Sequence, residues 1–341
     1  HAVRQGPDGW LYFIGGNDLG FSARQINRPE SPVSAPEAGA LLRLSPDGRK
    51  SEIIAHGLRN PYDFDFNSAG DIFTYDSDVE NDFFLPWYTP TRIYHVGYGG
   101  HHGWRLGGWT RSWNRPDYYV DTVDILAPAG RGSPTGVVCY RHTQFPRSYH
   151  DGLFVLDWTF GRIHFFALKA DGTGYKTESE PFLEPIGTHG FAPNDAVVAP
   201  DGSLFVSIGG RNTRGAVFRI RYGEPQPAVK TPAQNRRAEA EAEGGRDSLE
   251  SVLKSPQPLD AWSRAQWMPR AQQLGAQQFK LAVVNDRLAP AQRVRAIEVV
   301  TEMFGGLETA RAMVTARSPS PQIRARVAWS VEVSSNARDL H

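Results

Sequence analysis

The sequence predicts an all-β propeller with about four blades followed by an α-helical solenoid, and three observations carry that prediction. First, a short turn bearing Asp or Gly and then an apolar strand recurs at GPDGWLYFIGG (6–16), FNSAGDIFTYD (66–76), SYHDGLFVLDW (148–158) and APDGSLFVSIGG (199–210). Second, the composition shifts after Gln226 to a proline-flanked, charged, low-complexity stretch, NRRAEAEAEGGRDS. Third, apolar residues beyond it recur at helical spacing, as at Val294, Ile297 and Val300. The expected organisation is a partial propeller over 1–224, a charged linker over 225–247 and helices over 248–341.

Each element has its own local reason. A repeated turn–strand unit at irregular spacing is what propeller blades with loop insertions produce. An ordinary β-sandwich would use the same turns, but its strands would not restart so similarly. A further turn at Pro46-Asp47-Gly48 joins LLRLS to SEIIAHG. The densest polar and aromatic stretch is 56–105. It opens with Gly57-Leu58-Arg59-Asn60-Pro61, which sets a guanidinium beside a carboxamide. Phe64 and Phe66, then Ile72, Phe73 and Tyr75, alternate around Ser68-Ala69-Gly70-Asp71 and read as a β-hairpin. Asp76, Asp78, Glu80 and Asp82 follow in a loop, and Gly99-Gly100-His101-His102-Gly103-Trp104 closes the stretch. In the tail, AWSRAQWMPRAQQL, GAQQFKLAVVN, PAQRVRAIEVVTEMF, LETARAMVTA and PQIRARVAWSVEVS read as helices.

Composition removes several classes. The 37 basic and 37 acidic residues cancel, so neither a nucleic-acid partner nor an anionic membrane surface is indicated. No apolar run approaches the length of a transmembrane helix. The single cysteine, Cys139, allows no internal disulfide and no zinc site of usual spacing. No CxxCH occurs, so this segment attaches no c-type haem. The chain opens on His1 in mid-pattern, which reads as a fragment with blades missing before it.

The order GLRNP, hairpin, acidic loop, GGxxGW resembles the soluble quinoprotein sugar dehydrogenases. It is more similar still to the membrane-bound dehydrogenases of planctomycete type, over roughly residues 1–222 and more weakly over the tail. That resemblance implies a propeller of the six-bladed type, followed by HEAT repeats. The runs Ala291-Gln292-Arg293-Val294-Arg295 and Pro321-Gln322-Ile323-Arg324-Ala325-Arg326 resemble the second-helix signature of such repeats. The resemblance also implies pyrroloquinoline quinone as cofactor, calcium beside it, and a sugar or other alcohol as substrate. A c-type haem domain or cytochrome would accept the electrons, and the location would be periplasmic or secreted.

Site residues follow by the same resemblance. His1 takes the place of the general base that removes the substrate hydroxyl proton, a role suited to an imidazole near its working pH. Arg59 and Asn60 match the pair that contacts the quinone. Arg211 and Arg214, in GGRNTRG, fall at a second arginine cluster, and guanidinium forks suit the three carboxylates of this quinone. Asp76, Asp78 and Glu80 offer hard oxygen ligands for calcium. Here Ser77-Asp78 stands where the soluble glucose enzymes carry a Gly-Pro whose backbone oxygens bind the metal. Trp158 is placed to stack on a planar cofactor or sugar ring. His95, His101 and His102 lack metal-spaced partners and read as structural. Two other classes stay open: a lactonase-type hydrolase with Glu80, Asn194 and Asp195 around a central metal, and a non-catalytic propeller and HEAT binding scaffold.

Overall fold

The computed structural model describes residues 1–82, 87–105, 113–114, 119–187, 190–210, 213–223 and 248–338. It divides into two compact units, His1–Arg221 and Tyr222–His341. The stretch expected as a linker, 225–247, lies outside the described residues.

The first unit is a succession of antiparallel sheets. β1 (Val3–Gln5), β2 (Leu11–Gly15), β3 (Gly39–Leu44) and β4 (Ser51–Leu58) form the first in simple chain order. β5 (Phe64–Phe66) and β6 (Ile72–Asp76) begin the second. The pair β7 (Val79–Asp82) and β8 (Trp87–Thr89) interrupts it before β9 (Thr91–His95). A second small pair, β10 (Trp104–Arg105) and β11 (Trp113–Asn114), comes before β12 (Ala127–Gly130) completes the sheet. β13 (Pro134–Cys139), β14 (Leu153–Asp157), β15 (Arg162–Asp171) and β16 (Gly174–Leu183) make the third. β17 (Pro193–Val198), β18 (Leu204–Gly210) and β19 (Thr213–Ile220) make the fourth.

The four repeated sequence segments have one structural meaning. Each carries the connection from the first to the second strand of its sheet. Gly6 N donates to Trp10 O and Gly9 N to Gly6 O between β1 and β2. Asn67 and Gly70 make the corresponding bonds before β6, and Ala199 and Gly202 before β18. Gly9 and Gly202 sit at φ of 79° and 80°, where a side chain is disfavoured. In the third sheet Asp151 takes the left-handed position instead, at φ 58°, which an Asp tolerates better than most residues.

Alternation then builds the core. Val137, Cys139, Leu153, Val155 and Phe166 of the third sheet pack on Phe73, Tyr75 and Ile93 of the second. Their neighbours Val138, Tyr140, Phe154, Leu156, Ile163 and Phe165 pack the other way, on Ala196, Val198, Leu204, Val206 and Ile208 of the fourth. A strand buried on both faces reads as a continuous apolar run, which is why β14 is LFVLD. Phe154 is fully buried, so Phe154→Ala would cost about 3–5 kcal/mol.

First strands of successive sheets lie side by side, but side chains rather than a backbone ladder join them. Asp63 Oδ2, just before β5, accepts from Val137 N at 3.0 Å, and Asp65 Oδ2 accepts from Cys139 N at 2.8 Å. Arg4 of β1 donates to Asp63 and to Val137 O. A Cβ on Gly136 would meet the Asp195 Cα of β17 at 2.9 Å. The sheets therefore radiate from adjoining first strands. The loops after β2, β4, β6, β14 and β18 all emerge at the end where those strands begin.

The second unit is helical: α1 (Leu249–Leu253), α2 (Ala261–Leu274), α3 (Ala276–Val284), α4 (Pro290–Met303), α5 (Thr309–Thr315) and α6 (Pro321–Arg338). Pro290 and Pro321 start their helices, where a missing N–H costs nothing. Trp267, Phe279, Val283, Ile297, Val300, Ile323 and Val327 form its core. One constant interval separates Arg264, Arg295 and Arg326, each buried on α2, α4 or α6. Arg264 pairs with Glu302, while Arg295 and Arg326 share Glu298 at 3.1 and 3.5 Å. The Arg295 guanidinium lies 4.2 Å from the Trp267 ring centroid. Among the described residues no helix is long and apolar enough to cross a membrane.

Candidate functional site

The loop between β4 and β5 is held from below by one carboxylate. Asp76, at the end of β6, accepts from Arg59 N at 2.8 Å, Asn60 N at 2.7 Å and Ser77 N at 2.8 Å. Ser77 Oγ donates to Asn60 O at 3.0 Å. Asp76 is 1 % exposed and accepts three bonds, so it has a structural role beside the metal-ligand role expected of it. It fixes the Arg59–Asn60 loop by charge-assisted bonds.

On that loop sits His1. Its Nδ1 lies 2.6 Å from Pro61 O, and Ala2 N donates to Tyr62 O at 3.1 Å. A carbonyl only accepts, so neutral His1 carries its proton on Nδ1 and presents a bare lone pair on Nε2. The Asn60 carboxamide meets this ring over Gly16. A Cβ there would come within 2.3 Å of Asn60 Oδ1 and 3.2 Å of His1 Cε1, so glycine leaves the room in which they approach.

Next to His1 opens a pocket of about 310 Å³ lined by His1, Ala2, Val3, Arg4, Tyr62, Asp63 and Asp195. Arg4 grips Asp63 with both edges of its fork, Nε to Oδ1 at 3.1 Å and Nη2 to Oδ2 at 2.6 Å. Burial works against the Arg4 charge, but Asp65 and Asp63 outweigh it and hold the cation firmly. Asp65 is itself tied to Arg141 at 3.3 Å. Asp195 differs: its one bond among the described residues comes from Ala196 N at 2.8 Å. Its side chain is exposed, yet the protein around its carboxylate, with Asp63 nearby, raises its pKa.

The other expected residues that are described do not line this pocket. Arg59 is half-buried, its guanidinium 5.5 Å from the Trp104 ring centroid. Arg214 is exposed on β19. Arg211 lies outside the described residues. Trp158 donates Nε1 to Gly209 O at 2.8 Å, and its ring fills the space where Gly210 has no side chain. It ties the third sheet to the fourth, so its expected stacking face is taken up in part by the protein. Asp78 is buried and accepts from Tyr88 OH at 3.3 Å. The Glu80 side chain lies outside the described residues. Arg92 donates to Ser77 O, and Arg105 pairs with Glu37 at 2.8 Å. Among the described residues no three His, Cys, Asp or Glu are grouped to hold a metal.

The histidines read as structural keep simple roles. His95 stacks on Phe73, and His101 lies 3.4 Å from Glu37. Burial pushes the His102 pKa down to about 4, so it stays neutral while its Nδ1 donates to His56 O.

Arg4, Tyr62, Asp63 and Asp65 were not among the expected site residues, and Asp195 appeared only as a lactonase ligand. A signal for them exists. Each lies on or just before the strand preceding a repeated turn, where a charge breaks an otherwise apolar pattern: VRQ, DFDF, NDAVV.

No protein-family model matches the chain, and no curated protein matches it. Solved structures do. A Thermus thermophilus oxidoreductase described as a glucose dehydrogenase is 20 % identical, with 64 % of this chain and 63 % of that one covered at TM-score 0.45. A second glucose dehydrogenase is 17 % identical over 66 % and 63 % at TM-score 0.48. The PQQ-bound aldose sugar dehydrogenase of Streptomyces coelicolor is 16 % identical over 64 % and 60 % at TM-score 0.43. The chain thus spans less than two thirds of the length of each of these three.

Proposed function

We propose that this chain belongs to an oxidoreductase that removes a hydride from the carbinol carbon of a sugar or other alcohol, with pyrroloquinoline quinone as the acceptor. The observation that carries this reading is the His1 tautomer. A base must offer a lone pair beside a site that can hold the substrate, and the Pro61 carbonyl leaves that lone pair on Nε2 of His1, which lines the pocket. The hydroxyl proton passes to Nε2, and Pro61 O keeps its bond to Nδ1–H, which helps the ring bear the positive charge.

The donor set on the rim suits the quinone chemically. Arg59 and Arg214 offer guanidinium forks for carboxylates, and Asn60 offers an amide N–H for a carbonyl. Arg211 and Trp158 remain further candidates for the same group. When bound, the quinone supplies a two-electron acceptor. Calcium finds no ligand set among the described residues, since Asp76 is committed to the loop, and no step is assigned to it. The same proposal includes a propeller of the six-bladed type with about four blades in residues 1–224, HEAT-like repeats in 248–341, a c-type haem domain or cytochrome as electron acceptor, and a periplasmic or secreted location. The lactonase reading is less well supported. Among the described residues no three His, Cys, Asp or Glu side chains are grouped to form the carboxylate cage that it needs.

The test is titration of the protein with the quinone, following the absorption band of the bound form, in the wild type and His1→Gln. Both should bind quinone, while turnover of an aldose should fall about a hundredfold or more in the variant. No bound-quinone band in the wild type, or equal turnover in the two, ends the reading.

A further inference from the structure

The axial pocket has a polarity that the quinone does not explain. Its walls carry Asp63, Asp195 and a single cation, Arg4, so a tricarboxylate is repelled there. Yet the site is not a simple cation trap either. Arg4 commits Nε and Nη2 to Asp63 and Val137 O, and the two N–H groups of Nη1 have no partner among the described residues. Asp195 keeps three of its four lone-pair sites free. Tyr62 is 45 % exposed and its hydroxyl makes no bond among the described residues. An outward guanidinium edge, an unsatisfied carboxylate and a phenol face one space of about 310 Å³.

One kind of group satisfies all three. A hydroxyl donates to a carboxylate and accepts from a guanidinium at once, whereas a carboxylate can only accept and an ammonium can only donate. We infer that this pocket recognises the hydroxyl groups of a neutral polyol, with Asp195 as acceptor and Arg4 Nη1 as donor, and that it discriminates against sugar acids and amino sugars. The inference rests on the proposed oxidation of a sugar or alcohol by adding its recognition site: the bound polyol lies against His1, with the reacting hydroxyl toward Nε2 and the remote hydroxyls toward Asp195. The Asp63–Arg4 pair holds the donor in place from behind. The raised pKa of Asp195 agrees with a carboxylate that lacks partners in the empty pocket.

The experiment is ligand-observed NMR on the full chain without quinone, with D-glucose, D-glucuronate and D-glucosamine as probes at neutral pH. Glucose should bind the wild type, and glucuronate and glucosamine should bind about tenfold more weakly or not at all, because the carboxylate of one is repelled by Asp63 and Asp195 and the ammonium of the other cannot accept from Arg4. Asp195→Asn should weaken glucose about tenfold and narrow its lead over glucuronate. Tyr62→Phe, a milder change, should weaken glucose about threefold and so tests the pocket even where Asp195→Asn does not fold. Glucuronate binding as tightly as glucose, glucosamine binding more tightly, or glucose binding unchanged in both variants overturns the inference. Because quinone is absent, loss of the quinone reading would leave a positive sugar result standing. A bound-quinone band with no glucose binding would refute the polyol pocket alone.

Discussion

Replacing Asp76 by alanine removes the support of the Arg59–Asn60 loop. Three backbone N–H groups, of Arg59, Asn60 and Ser77, lose bonds of 2.7–2.8 Å to a buried carboxylate. Hydrogen bonds to charged groups contribute about 1.5–3 kcal/mol each, but Asn60 is exposed and its N–H can rehydrate, so the loss should be about 3–5 kcal/mol rather than the full sum. Asp76→Asn divides the effect. Its oxygen can keep the bonds from Asn60 and Ser77, while its NH₂ then faces Arg59 N, and about half the loss should remain. The assay is amide hydrogen exchange over 57–62 and 77, with thermal unfolding as a global check. Exchange should quicken in the order wild type, Asn, Ala, and should be indifferent to chelator. If protection in the wild type instead rises with added calcium and that response vanishes in the variants, Asp76 is a metal ligand and the structural assignment fails.

Two further outcomes follow from buried charge. His102 titrates near 6.5 when unfolded and at about 4 when folded, so below pH 6.5 the unfolded chain takes a proton that the native ring refuses. Stability should therefore fall between pH 6.5 and 4, by at most roughly 3 kcal/mol from this group. His102→Gln, which can still donate to His56 O, should flatten the urea midpoint across that window, and an unchanged pH slope would count against the buried neutral imidazole. In the helical unit, Arg295→Ala uncovers the Trp267 face and leaves Glu298 to Arg326 alone. It should cost about 3–5 kcal/mol, whereas Arg295→Met should cost distinctly less because it refills the volume. Equal melting temperatures for the two variants would contradict a packed, paired guanidinium.

What could be read in advance divides by the range of the interaction. The turns at 6–9, 67–70 and 199–202 are set by a few adjacent residues, and the strands that follow announce themselves by apolar runs. The helices were legible because apolar residues recur along them at helical spacing, although α4 buries every side chain from Arg293 to Thr301. β15 and β16 were not singled out, since GYKTESEPFL is polar and β16 lies at a sheet edge with mostly exposed side chains. The structural role in the acidic loop was not legible, because composition alone cannot distinguish a carboxylate that awaits a metal from one that holds backbone N–H groups. At Asp76 that distinction depends on a loop 16 or 17 residues earlier in the chain. The pocket was illegible for the same reason. Arg4, Asp63 and Asp195 meet only after separate sheets have been brought together.

That meeting explains why charge occupies the centre of the first unit at all. Side-by-side first strands of neighbouring sheets leave N–H groups, such as those of Val137 and Cys139, outside any strand ladder. Each must still be satisfied, and a carboxylate projecting from the next sheet does so. Asp63 and Asp65 meet that demand, and each then needs a cation, which Arg4 and Arg141 supply. On this reasoning two acids and two bases are architectural. Asp195 is the acid left over: among the described residues its carboxylate accepts from the N–H of the residue after it and bridges no sheets. A carboxylate that lines a pocket without a bridging task is placed for what the pocket binds. That makes Asp195→Asn the variant to separate stability from recognition. It should leave the unfolding free energy within about 1 kcal/mol of wild type, since no bridge is lost, while altering sugar binding. A large loss of stability would show that Asp195 belongs to the architecture and would remove the reason for placing a ligand beside it.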